Sequence, residues 1–80
     1  MKAIYIEWVD SSVVRGWQSQ EGLPAAMAIA RCATIGFYVS EDKNVLALAL
    51  NASVDGKCSP FGEVVSIPKA AITKRKAIKI

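Results

Sequence analysis

The order of elements predicted for residues 36–80 constrains the fold most strongly. This part of the chain has the pattern of a hairpin, a further strand, the tripeptide Ile67-Pro68-Lys69, one helical turn at 70–72 and a closing strand to Ile80. Proline cannot donate a ladder hydrogen bond, so Pro68 marks the point where a strand leaves one sheet and turns to join another. The order predicts a mainly β fold: a five-stranded small barrel of the SH3-like or Sm-like kind.

Alternation of apolar and polar residues predicts the strands of this barrel. They are expected at residues 2–10, 32–40, 44–52, 61–67 and 73–80. Between the first two strands, the alanine-rich segment after Pro24 favours a short helix inside 19–31, because proline suits the first turn of a helix. The chain of 80 residues is expected to form one domain, 1–80.

The same alternation predicts which side chains point into the core. Gly36 is expected at a bend or bulge of the second strand. In the closing strand, Arg75 and Lys79 are expected outside. The inward side chains are expected to be Ile4, Ile6 and Trp8 in the first strand; Ala33, Ile35, Phe37 and Val39 in the second; Leu46, Leu48 and Leu50 in the third; Val65 and Ile67 in the fourth; Ile78 and Ile80 in the last.

The size and apolar content of the chain predict self-association. A domain this small buries roughly 60% of its unfolded surface, so its stability is marginal unless another contact adds to the core. The composition is 52% hydrophobic, and the third strand is apolar on both faces. Its alanine-rich side is covered either by the predicted helix or by another subunit. A symmetric homodimer is the default expectation.

The residue types argue against catalysis and metal binding. The chain contains no histidine, which is the commonest general base and the commonest metal ligand. Cys32 and Cys58 lie far apart and form no Cys-x-x-Cys pair, although a single disulfide between them stays open. We therefore expect no catalytic residue, no metal and no cofactor.

The apolar segments are short. Glu7 and Asp10 interrupt the first of them, and no stretch approaches the roughly 20 apolar residues of a membrane span. We expect a cytoplasmic protein with reduced thiols and no membrane partner.

Charge is concentrated at the end of the chain. Residues 1–68 carry five cations and seven acids, whereas residues 69–80 carry five cations and no acid. The candidate contacts to phosphates of a single-stranded nucleic acid are Lys74, Arg75, Lys76 and Lys79, with Tyr5, Trp17 and Tyr38 as candidate stacking rings. The alternative is that the lysines guard an exposed strand edge against aggregation.

Protein binding is the broader functional prediction. A long excursion follows the first strand, and a small barrel can present such a loop to a partner. The candidate recognition residues are Trp17, Asp10, Arg15 and Tyr38. The alternative for Trp17 is an apolar lid over one end of the barrel.

Short motifs spread along the chain carry a family resemblance. They are Trp8-Val9-Asp10, Gly16-Trp17, Cys32 followed by Gly36-Phe37, the acidic Glu41-Asp42 turn, and Ile67-Pro68-Lys69. Together they resemble a group of short, uncharacterised tailed-phage and prophage proteins. The resemblance implies a phage or prophage accessory protein with a small-barrel fold that acts in the host cell on a host or phage protein. The alanine-rich Pro24 to Ala30 segment and the Lys74-Arg75-Lys76 run depart from that group.

Overall fold

The structure, a computed structural model, describes residues 1–12, 15–22, 28–55 and 60–80. Its strands form one antiparallel sheet in the order β4-β3-β2-β1-β5. Short 3-10 turns lie at Gln20–Gly22 and Lys69–Ala71. The strands are β1 Ala3–Asp10, β2 Ala30–Glu41, β3 Val45–Ala52, β4 Phe61–Pro68 and β5 Ile72–Ile78. The mainly β fold and the five predicted strands are confirmed.

The sheet is not a closed barrel, so the prediction of closure is wrong. β4 and β5 are the two edges of the sheet, and they do not pair with each other in the described part of the chain. The three-residue turn Lys69–Ala71 carries the chain from the β4 edge to β1, where β5 adds on the far side. The order of elements suits this open arrangement as well as a closed one, because Pro68 ends β4 in both.

The prediction of a helix inside 19–31 is wrong for the described residues of that range. Gln20–Gly22 forms only a 3-10 turn, and Ala30 and Arg31 belong to β2. They pair with Asp10 and Val9, so the ladder with β1 takes up residues that alanine content alone assigns to a helix. Residues 23–27 lie outside the described residues. Within the described ranges, no helix is long and apolar enough to cross a membrane.

The long strand β2 is shared between two parts of the sheet. Its residues up to Phe37 pair with β1, and its residues from Phe37 to Glu41 pair with β3. A register shift between Tyr38 and Ser40 marks a bulge just beyond the change of partner. Bulges bend a strand and increase its twist. We call β5, β1 and the first part of β2 the β1 half, and the rest of β2 with β3 and β4 the β3 half.

The core lies between the two halves. Ile4 and Ile6 of β1 pack with Leu46, Leu48 and Ile67 of the β3 half, and each of these side chains is at most 1% exposed. The predicted core face of β1 is confirmed by this cluster. The half-buried residues packed around it are Trp8, Tyr38 and Ile72.

The predicted inward faces of β2 and β5 are wrong. Directly opposed residues of an antiparallel pair lie on the same face of a sheet. Ile6 is opposed by Thr34 on one side and by Arg75 on the other, so these two residues share the core face. Ile35 and Ile78 lie on the other face. Alternation identifies which residues share a face, but only the register decides which face meets the core.

Gly36 allows β2 to approach β3 closely. It is buried, and a Cβ atom added to it would lie 2.9 Å from Leu48 Cβ and 3.0 Å from the Ala49 carbonyl oxygen. Both distances are shorter than an ordinary van der Waals contact between such atoms. The absence of a side chain at this position is therefore a condition for the close approach of the two strands. The register shift of β2 lies two residues further on, between Tyr38 and Ser40, and not at Gly36.

We predict that Gly36→Ala destabilises the protein by about 1–3 kcal/mol, because the added methyl group overpacks the contact between β2 and β3. Gly62→Ala is the matched control, since its Cβ would meet Asn51 Cβ at an ordinary 3.6 Å. Urea unfolding measures both. Equal stability of the two variants would contradict the close approach at Gly36.

Candidate functional site

An apolar row crosses the face of the sheet that points away from the core. It contains one residue from each strand, in sheet order Ile78, Ala3, Phe37, Ala49 and Val64. Ala3 and Ala49 are buried, whereas Val64 is half exposed. We call this set the outer apolar row. It gives the sheet a second apolar surface in addition to the core.

Next to the row, Ile35 and Tyr5 are cross-strand neighbours on the same outer face. Ile35 is 62% exposed although it lies within a regular strand. Sequence reasoning missed this surface because it assigned Ile35 and Phe37 to the core. The sequence does contain a signal of this surface, because β1 and β2 each carry large apolar residues on both faces.

Lysines border the outer face along β5. Lys74 and Lys76 oppose Glu7 and Tyr5, so they project on the same side as the outer apolar row. Lys74 Nζ lies 3.9 Å from Glu7 Oε2, and the Tyr5 hydroxyl donates a 2.6 Å hydrogen bond to the same oxygen. This hydrogen bond is the main cause that raises the pKa of Tyr5. In the described ranges, Lys76 has no acidic partner.

A groove of about 440 Å³ runs beside these lysines. Its lining consists of Tyr5, Lys74, Lys76, Ala77, Ile78 and Lys79. Side chains of consecutive strand residues alternate between the two faces of a sheet. Tyr5, Lys74, Lys76 and Ile78 share the outer face, whereas Ala77 does not, so the groove lies on the outer face and reaches the free edge of β5.

Arg75, unlike these lysines, forms an ion pair with Glu41. Its two terminal guanidinium nitrogens each donate a 2.9 Å hydrogen bond to one oxygen of Glu41, and Lys69 Nζ lies 2.6 Å from Glu41 Oε2. Hydrogen bonds from Arg75 first, and then from Lys69, hold the pKa of Glu41 far below its usual range. We call these three residues the Glu41 cluster. It joins the end of β2 to β5, and it pairs the Arg75 guanidinium that the sequence predicts as a phosphate contact.

The candidate protein-binding residues do not form one site. Trp17 is fully exposed, so it does not form the lid considered above. Asp10 ends β1, whereas the Tyr38 amide donates to the Lys2 carbonyl at the opposite end of that strand. The Tyr38 ring also holds Lys2 Nζ at 4.4 Å from its centre. Arg15 is exposed in the long connection.

The described residues contain no group of three or more side chains of the metal-ligating types. Cys32 is a half-buried free thiol on β2, opposite Trp8. Cys58 lies outside the described residues.

Comparison of the chain with protein-family models, curated proteins and solved structures found no match. The resemblance to tailed-phage proteins therefore stays a prediction from the motifs. The outer face, the groove at β5 and the charges around them carry the functional assignment.

The Glu41 cluster predicts how stability depends on pH. Because the pKa of Glu41 in the folded state is below its ordinary 4.5, its ionised form stabilises the fold above that pH, and this contribution is lost as the pH falls further. We expect Glu41→Gln to lower Tm at pH 7. We expect the difference from the parent protein to shrink steadily below about pH 4.5. A difference in Tm that stays constant from pH 7 to pH 2 would contradict this role.

Proposed function

We propose that this protein is a non-catalytic binding module that docks a protein partner on the outer face of its β1 half. The observation that carries the proposal is the outer apolar row with Ile35, which is 62% exposed beside it. Apolar side chains grouped on one face of a small domain mark a candidate interaction site. Tyr5 and Phe37 add aromatic side chains, which are enriched in the centres of protein interfaces.

We also propose that the open sheet is of the SH3-like kind. The strand order and the 3-10 turn between β4 and β5 support a half-open barrel of the SH3-like kind. With the motif resemblance, they support a phage or prophage accessory protein that binds a host or phage protein in the cytoplasm of the host cell.

Self-association is a further use of the outer face. Only seven apolar residues are buried in the described part of the chain, while Ile35 and Val64 on the outer face are more than half exposed. A core this small supports the proposal of a homodimer. We expect light scattering at tens of micromolar to give twice the 8.6 kDa mass of one chain. A mass of one chain would count against the dimer.

Weak binding of single-stranded nucleic acid is the second candidate function. The groove at β5 combines the ring of Tyr5 with Lys74, Lys76 and Lys79. Rings and cations together suit bases and phosphates. Binding of this kind weakens with salt, with a log–log slope of about −0.7 per phosphate contact. Pairing of Arg75 with Glu41 removes one cation from the set predicted by the sequence.

The decisive variants for protein binding are Ile35→Lys and Val54→Lys. Both place a charge at an exposed apolar position, but Val54 lies in the β3–β4 connection, away from the outer apolar row. We expect the immobilised protein to capture the same bacterial proteins from lysate before and after nuclease treatment. Ile35→Lys should lose them, and Val54→Lys should retain them. Capture that disappears with nuclease would favour nucleic acid instead.

A further inference from the structure

The free edge of β5 has unused hydrogen-bonding capacity. In the described part of the chain, β5 pairs with β1 only. Alternate residues of an edge strand direct their N–H and C=O groups away from the neighbouring strand, where another strand can pair with them. The groove on the outer face reaches this edge at residues 76–79. It therefore offers space where a backbone partner would bind.

The charges beside this edge favour an acidic partner. No acidic residue occurs from Val64 to Ile80, and Glu41 is taken up by Lys69 and Arg75. Lys76 and Lys79 have no acidic partner within the described residues, and Glu7 approaches Lys74 only to 3.9 Å. Like charges on directly opposed strands are destabilising, so this edge disfavours a second copy of β5 and favours an acidic strand.

A polypeptide fits the edge better than a nucleic acid does. Tyr5 is the only aromatic residue in the lining, and its hydroxyl is already bound to Glu7. Binders of single-stranded nucleic acid stack successive bases on several rings. An unpaired strand edge, in contrast, is satisfied along its length by the backbone of another strand.

We propose that the free edge of β5 binds an acidic, extended peptide segment of a partner protein, which adds to the sheet as a sixth strand. This inference rests on the proposed function as a protein-binding module and names the chemistry of its partner. Acidic side chains at alternate positions of the segment lie opposite Lys74 and Lys76. The groove thereby supplies specificity, and the backbone ladder supplies affinity.

The test uses a synthetic peptide of about eight residues, a strand-length segment in which glutamate alternates with valine. Titration is followed by the amide NMR signals of the full chain. We expect saturable binding with the largest shifts along β5. N-methylation of the peptide amides that face β5 should abolish binding, whereas methylation of the alternate set should preserve it. Binding that survives methylation of the β5-facing amides, or that is lost with both sets, would overturn strand addition.

Matched charge reversals test the role of the lysines. We expect Lys76→Glu to weaken peptide binding by about tenfold or more, because it places like charges opposite each other. Lys43→Glu, an exposed position in the β2–β3 turn, should change binding by less than about twofold. Equal effects of the two variants would contradict the proposed site. Lys76→Ala removes the charge without reversing it and serves as a second variant in case Lys76→Glu misfolds. Its NMR spectrum checks that it is folded.

The outcomes separate this inference from the proposed function. If the acidic peptide does not bind at low salt while Ile35-dependent capture from lysate persists, the β5 inference fails and the binding module stands. If single-stranded oligothymidylate shifts the same β5 signals and displaces the peptide at lower concentration, the edge is a nucleic-acid site and the inference is wrong. If both the peptide and the capture fail, the protein-binding function itself is contradicted.

Discussion

The close approach of β2 to β3 at Gly36 is the constraint on which the rest of the structure depends. β2 pairs with β1 up to Phe37 and with β3 from Phe37 onwards, so Gly36 lies next to the point where the strand changes partner. Ile4 and Ile6 of β1 pack with Leu46 and Leu48 of β3, two strands away, in the only buried cluster of the described residues. The Glu41 cluster then joins the end of β2 to β5 across this fold.

Much of the backbone follows from the sequence, because local patterns determine strands. The five strands and the turn after Pro68 are readable from alternation and from residues with special backbone requirements. The open edges of the sheet cannot be predicted in this way, because closure depends on whether β4 and β5 pair, and no local sequence pattern determines that. The faces of β2 also escape prediction, since Ile35 and Thr34 are each compatible with either side until the register with Ile6 is known.

The candidate site reflects the same limit. The lysines of β5 are visible as a charge run, but only the structure separates Arg75, which is bound to Glu41, from Lys76, which projects from the outer face. The outer apolar row is the consequence of assembling five strands in one register. A small sheet that is apolar on both faces can bury one of them in its own core, and on the other face Ile35 and Val64 are more than half exposed.

The sheet stays open, with β4 and β5 as its two edges. Residue-resolved amide hydrogen exchange on the isolated chain, in conditions where it is monomeric, tests this most directly. An open sheet predicts protection of consecutive residues in β1, which has a neighbour on each side, and of alternate residues in β5, which has one. Continuous protection along both β4 and β5 would contradict the account, because it would show that the two edges pair and the barrel closes.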